Sequence, residues 1–105
     1  GVNKMEKLKV FISQPMIDKT DEQILNERKR AISIIKKKYG KDAEILDSFI
    51  KVAPHDSTPV WFLGKSLEIL SQANLAYFIG DWKKYRGCKI ENIVAHEYGI
   101  DTIEE

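Results

Sequence analysis

One cysteine, Cys88, in 105 residues excludes an internal disulfide and suits a reducing cytoplasm, the compartment expected for this chain. No apolar stretch approaches the ~20 residues that a membrane span needs, and the start carries no secretory pattern. Residues 1–5 are set aside from the fold as an expected cloning remnant ahead of, and including, Met5. Charge of one sign is also missing. Seventeen basic residues nearly cancel sixteen acidic ones, for a net charge of +1, so neither a nucleic acid polymer nor a membrane surface is expected as partner. There is no Gly-x-Gly-x-x-Gly after the first strand and no Walker loop, which removes the usual cradles for dinucleotides and triphosphates. His55 and His96 are too few and too scattered for a metal site, and no cofactor is expected.

What is present is alternation. Residues 8–12 (LKVFI) are short, β-branched and aromatic, and so read as a strand that runs into the extended loop Ser13-Gln14-Pro15-Met16. Thr20-Asp21-Glu22-Gln23 is a capping box. Ile24, Arg28, Ala31, Ile32, Ile35 and Tyr39 then follow at helical spacing up to a stop at Gly40. Lys36, Lys37 and Lys38 in its last turn form either a solvated helix end or a basic patch. Residues 44–49 (EILDSF) predict a second strand with Asp47 near its carboxyl end. Within the loop 50–57, His55 and Asp56 are either acid-base or ligand groups, or simply turn formers. Thr58-Pro59 predicts a cap and first helical position. Residues 60–73 place Leu63, Leu67 and Leu70 on one face, widened by Trp61, Phe62 and Ile69. That arc either completes a small core or packs against another chain.

Residues 75–79 (LAYFI) are the most continuously apolar run, as befits a strand buried on both faces. A helix over residues 86–98 is expected to turn Ile90, Ile93, Val94 and Tyr98 inward, and residues 100–103 make the last strand. The order β-α-β-α-β-α-β predicts one domain: a three-layer open α/β sheet of four parallel strands with three flanking helices. Because the first and third strands are the most apolar, the spatial order should be 2-1-3-4, a Rossmann- or flavodoxin-like arrangement. A crevice then opens between the carboxyl ends of the first and third strands. Residues 13–16, the Gly80-Asp81-Trp82 loop and the start of the last helix would project into it. Glu91, near that helix start, is either a pocket carboxylate kept ionised by the helix N-terminus or a surface Glu favouring the dipole. Cys88 nearby is either reactive or a small packing residue.

Gly87-x-x-x-Glu91-x-x-x-Ala95-x-x-x-Gly99, followed by a strand, resembles the signature of the nucleoside 2-deoxyribosyltransferase superfamily. More closely, residues 11–16 (FISQPM), Pro54-His55-Asp56, residues 63–68 (LGKSLE) and residues 86–91 (RGCKIE) resemble a small uncharacterised branch of it found in bacteriophages and bacteria. The resemblance implies that Glu91 is a nucleophile toward the anomeric carbon of a nucleoside or nucleotide. It also implies a homodimer or higher homo-oligomer in which a neighbouring subunit completes the pocket. One departure stands out. The family places an assisting Asp on the second helix, eight residues before the Ala-Asp that opens the third strand. Here those positions hold Ser66 and Asn74. Serine cannot serve as general acid. Either Asp81, Asp47, Asp56 or His55 substitutes, or the chain binds without catalysing. In the catalytic version Asp81 or Asp47 holds hydroxyls or acts as acid, Met16 and Trp82 sandwich the base, and the amides of Gly87 and Cys88 receive a hydroxyl or phosphate.

Overall fold

The computed structural model describes residues 7–48 and 53–105. Its elements run β1 (Lys9–Ser13), α1 (Asp21–Tyr39), β2 (Glu44–Ile45), α2 (Pro59–Leu70), β3 (Leu75–Phe78), a 3-10 turn (Trp82–Lys84), α3 (Arg86–Glu97) and β4 (Asp101–Glu104). The four strands form one parallel sheet in the order β2-β1-β3-β4, an open α/β sheet with three helices. Among the described residues no helix is long and apolar enough to cross a membrane.

Strand alternation sorts the core into two layers. Val10 and Ile12 of β1, with Leu75, Tyr77 and Ile79, pack under Ala31 and Ile35 of α1. On the other side Phe11, Ala76 and Phe78 meet Leu70 of α2 and Cys88 and Ala95 of α3. The chain therefore leaves β1 toward one face of the sheet and β3 toward the other. The caps are those predicted. Thr20 and Gln23 bond reciprocally at 3.1 and 2.9 Å, and Thr58 accepts from the Trp61 amide at 3.2 Å with Pro59 in the first helical position.

Leu70 is the residue of α2 that the core swallows whole, with no exposed surface. Truncating it leaves a cavity between α2 and the sheet, so Leu70→Ala should lower stability by ~2–5 kcal/mol in urea unfolding. A loss well under 1 kcal/mol would mean that α2 is not anchored there.

Three expectations change. β2 pairs over two residues rather than residues 44–49, although the Leu46 amide still reaches the Val10 carbonyl at 2.8 Å. Phe49 lies outside the described residues. α2 ends at Leu70, where the Ser71 hydroxyl caps the Glu68 carbonyl at 2.5 Å, instead of running to Ala73. α3 is rotated from its expected setting: Cys88, Glu91 and Ala95 face inward and Val94 packs beside them as expected, while Ile90, Ile93 and Tyr98 are 37%, 59% and 81% exposed. Phe11, Phe78 and Trp82 already fill the layer beneath α3, so the helix presents its small residues there.

The end of β4 is pinned by Glu105. Arg30 donates both guanidinium nitrogens to its carboxylate at 2.8 Å each, the Tyr77 hydroxyl donates at 2.5 Å and the Gly80 amide at 2.8 Å. Arg30 above all pulls the Glu105 carboxyl down to about 2. The clamp holds the turn after β3, where Gly80 has φ +57, a conformation that suits glycine.

Candidate functional site

The crevice is a cavity of about 730 Å³ at the carboxyl end of β1, walled by α2 on one side and the start of α3 on the other. β1 supplies Ser13, and the loop beyond it supplies Gln14, Pro15 and Met16. Pro15 is fully buried, and Gln14 is fastened to α1 by its Nε2 donating to the Ile24 carbonyl at 2.6 Å. From α2 come Val60, Phe62, Leu63 and Ser66; from α3 and the residue before it come Tyr85, Arg86, Gly87, Cys88 and Glu91. The walls are thus largely apolar, with hydroxyls and one carboxyl set among them.

Glu91 is the chemical centre. It sits in the second turn of α3 and is 8% exposed. Ser13, the last residue of β1, donates its hydroxyl to Glu91 Oε1 at 2.6 Å, which leaves Oε2 without a hydrogen bond from the described residues. Burial pushes the Glu91 carboxyl up to about 7, with the Ser13 hydroxyl opposing the rise. The expectation of a carboxylate held ionised by the helix terminus is therefore amended. Glu91 lies beyond the first-turn amides, and one hydroxyl only partly replaces water. Near neutrality both protonation states are populated. Burial likewise pushes the Cys88 thiol up to about 11, with the Glu91 charge adding to the effect, which makes it a packing thiol.

The structure brings Ser13, Gln14, Pro15, Met16, Gly87, Cys88 and Glu91 together around one cavity. It sets the remaining candidates elsewhere. Asp47 is exposed at the carboxyl end of β2, where its charge acts on the buried Arg28. His55 and Asp56 are exposed in a turn. Asp81 is exposed, 3.8 Å from Lys19 Nζ. Trp82 is 5% exposed, its ring tilted against Phe78 at 5.2 Å, so it serves the core and not a base sandwich. None of these lines the cavity. Sequence reasoning passed over Tyr85 and Arg86 as lining residues and read Phe62 as part of an arc that either completes the core or meets another chain. The signal for Phe62 was present, since Phe62, Leu63 and Ser66 share one side of α2. No group of His, Cys, Asp and Glu among the described residues is placed to hold a metal ion. α3 begins without a side-chain cap, and Arg86, Gly87 and Cys88 of its first turn line the cavity.

Searches against protein-family models, curated proteins and solved structures find no match for this chain. What the fold and site define is an open α/β sheet with a crevice at the carboxyl end of β1, between α2 and α3, whose described lining carries one carboxyl and, against expectation, no residue of β3 or of the 80–82 loop.

Proposed function

We propose that this protein binds a nucleoside or nucleotide in the crevice and cleaves or transfers its N-glycosidic bond, with Glu91 as nucleophile. The observation that carries the reading is the buried Glu91 carboxyl, oriented by Ser13 through one oxygen and open through the other, on the wall of an apolar-lined cavity. A carboxylate in such a place adds to an anomeric carbon, or stabilises the cation that forms there, more strongly than one in water. The Gly87-x-x-x-Glu91-x-x-x-Ala95-x-x-x-Gly99 spacing supports the same assignment through its resemblance to the nucleoside 2-deoxyribosyltransferase superfamily. Ser13 and Ser66 offer hydroxyls to a sugar, and the uncapped helix start at Gly87 and Cys88 suits its 5′ oxygen or phosphate.

A second reading, a nucleotide-binding module without catalysis, rests on Ser66. It lines the cavity at the position where the resembled enzymes carry their Asp. Incubation with a panel of nucleosides and nucleotides, followed by chromatography for free base and by thermal shift, separates the two. Release of base supports catalysis; a thermal shift without release selects the binding module; neither sinks both.

Assembly belongs to the same proposal. Val60 is 75% and Phe62 40% exposed on α2, with Phe62 edge-on to Trp61 at 5.1 Å. Met16 and Ile17 add apolar surface nearby along the cavity rim. A two-fold homodimer through this side of α2 would cover it. Light scattering at tens of micromolar should report a dimer, and Val60→Glu should reduce it to a monomer. A monomeric wild type under those conditions would count against it.

A further inference from the structure

The described lining of the cavity has one carboxyl where cleavage of an ordinary nucleoside calls for two functions. Among the described residues that line it, Glu91 is the only carboxylic acid, and there is no imidazole or ammonium group. The other protic groups are hydroxyls, the Tyr85 phenol, the Cys88 thiol and the Arg86 guanidinium, all far weaker acids than a carboxyl. A neutral nucleobase departs carrying the bonding electron pair as negative charge, and it leaves readily only when a general acid protonates it. Glu91 cannot fill both roles in one step, because attack needs its ionised form and donation its protonated form.

We propose that the natural substrate is an N-glycoside whose base is already cationic, an N-ribosylpyridinium nucleoside or nucleotide in particular. This rests on the assignment of Glu91 as nucleophile to the same crevice. Such a base needs no proton to leave. Glu91 Oε2 bonds to the anomeric carbon while the carbon–nitrogen bond breaks. Its electron pair flows into the ring and cancels the ring's positive charge, and the base departs as a neutral molecule. Water then adds its oxygen to the anomeric carbon, the bond to Glu91 breaks with its pair returning to the carboxylate, and the surplus proton passes to solvent. A glycoside and a water molecule thus yield the free sugar, the neutral base and one proton.

The walls fit that class of ligand. A pyridinium supplies a positive counter-charge to the buried carboxylate, whose pairing among the described residues is a hydroxyl rather than a cation. Phe62 and Tyr85 offer aromatic faces and Met16 a polarisable thioether to a flat cation. Arg86 lies on the lining, where it can meet a phosphate on the sugar.

The test compares matched pairs at pH 8. Nicotinamide riboside and nicotinamide mononucleotide are set against uridine and uridine monophosphate, and 7-methylguanosine against guanosine. Base release is read by chromatography, with each enzyme-free rate subtracted. The cationic member of each pair should react roughly a hundredfold faster or more, the range a missing general acid commands. Equal or faster release from the neutral members would overturn the substrate class while leaving N-glycosidic cleavage standing. No release from any member would overturn both. Wild-type protein serves throughout, so the result does not depend on the folding of a variant.

Discussion

Glu91→Gln is expected to stabilise the protein, and to do so more as the pH rises. Burial raises the Glu91 carboxyl from its ordinary 4.5 to about 7 in the folded chain. Between those values the native state holds a proton that the unfolded chain has released, so stability falls with rising pH through that window. Below 4.5 both states are protonated and Glu91 contributes no penalty; above about 7 the penalty is complete. The interval, at 1.36 kcal/mol per pH unit, comes to roughly 3 kcal/mol. Glutamine is never charged, and its oxygen can still accept the Ser13 hydroxyl. The variant should therefore match wild type near pH 4 and exceed it by roughly 3 kcal/mol near pH 9. For a chain of this size that is a rise of about 10–20 °C in melting temperature. Calorimetry of both proteins across that range decides it. A difference that stays flat with pH, or a loss of up to about 1 kcal/mol as for a surface carboxylate at a helix terminus, would show that Glu91 is not desolvated.

That instability has a structural counterpart in what could and could not be read from the sequence. The sheet was legible because its cues are local. The runs at residues 8–12 and 75–79 are continuously apolar, and the caps at Thr20 and Thr58 are written within four residues of their helices. Glu91 was legible as a candidate because its spacing from Gly87, Ala95 and Gly99 is a sequence property. The rotation of α3 was not. Ile90, Ile93 and Val94 give an apolar stripe, and only the volume already taken by Phe11, Phe78 and Trp82 explains why Cys88 and Ala95 turn inward beside Val94 while Ile90 and Ile93 stay exposed. Trp82 looked like a ligand-stacking ring for the same reason: its position in a polar loop is visible, whereas its partner Phe78 is a tertiary fact. The Glu105 clamp joins residues 75, 28 and 25 positions apart, with no pattern to announce it. Exposed positions for Asp47, Asp56 and Asp81 leave Glu91 as the carboxyl of the cavity.

The second large effect concerns chemistry at that carboxyl. If Glu91 forms a bond to the sugar, Glu91→Gln and Glu91→Ala should each lower base release by about 10³-fold or more, while ligand binding by thermal shift changes little. Loss in both variants would not by itself distinguish a nucleophile from a purely electrostatic carboxylate. The alanine variant does so, because it opens a space beside Oε2's former position into which a small anion can enter. Added azide should restore base release in Glu91→Ala and appear in the product as a glycosyl azide with its carbon–nitrogen bond at the anomeric centre. It should not restore Glu91→Gln, whose side chain fills the space. The wild-type rate should climb with pH through about 7 as Glu91 ionises and then level off. The nearby cavity groups are Ser13 from β1, Ser66 from α2, and Tyr85, Arg86 and Cys88 at the start of α3, and burial keeps the Cys88 thiol up near 11. A bell-shaped profile would reveal a proton donor that the cavity does not contain among its described lining, and an azide-insensitive Glu91→Ala would reduce Glu91 to a charge that steadies the sugar cation without bonding to it.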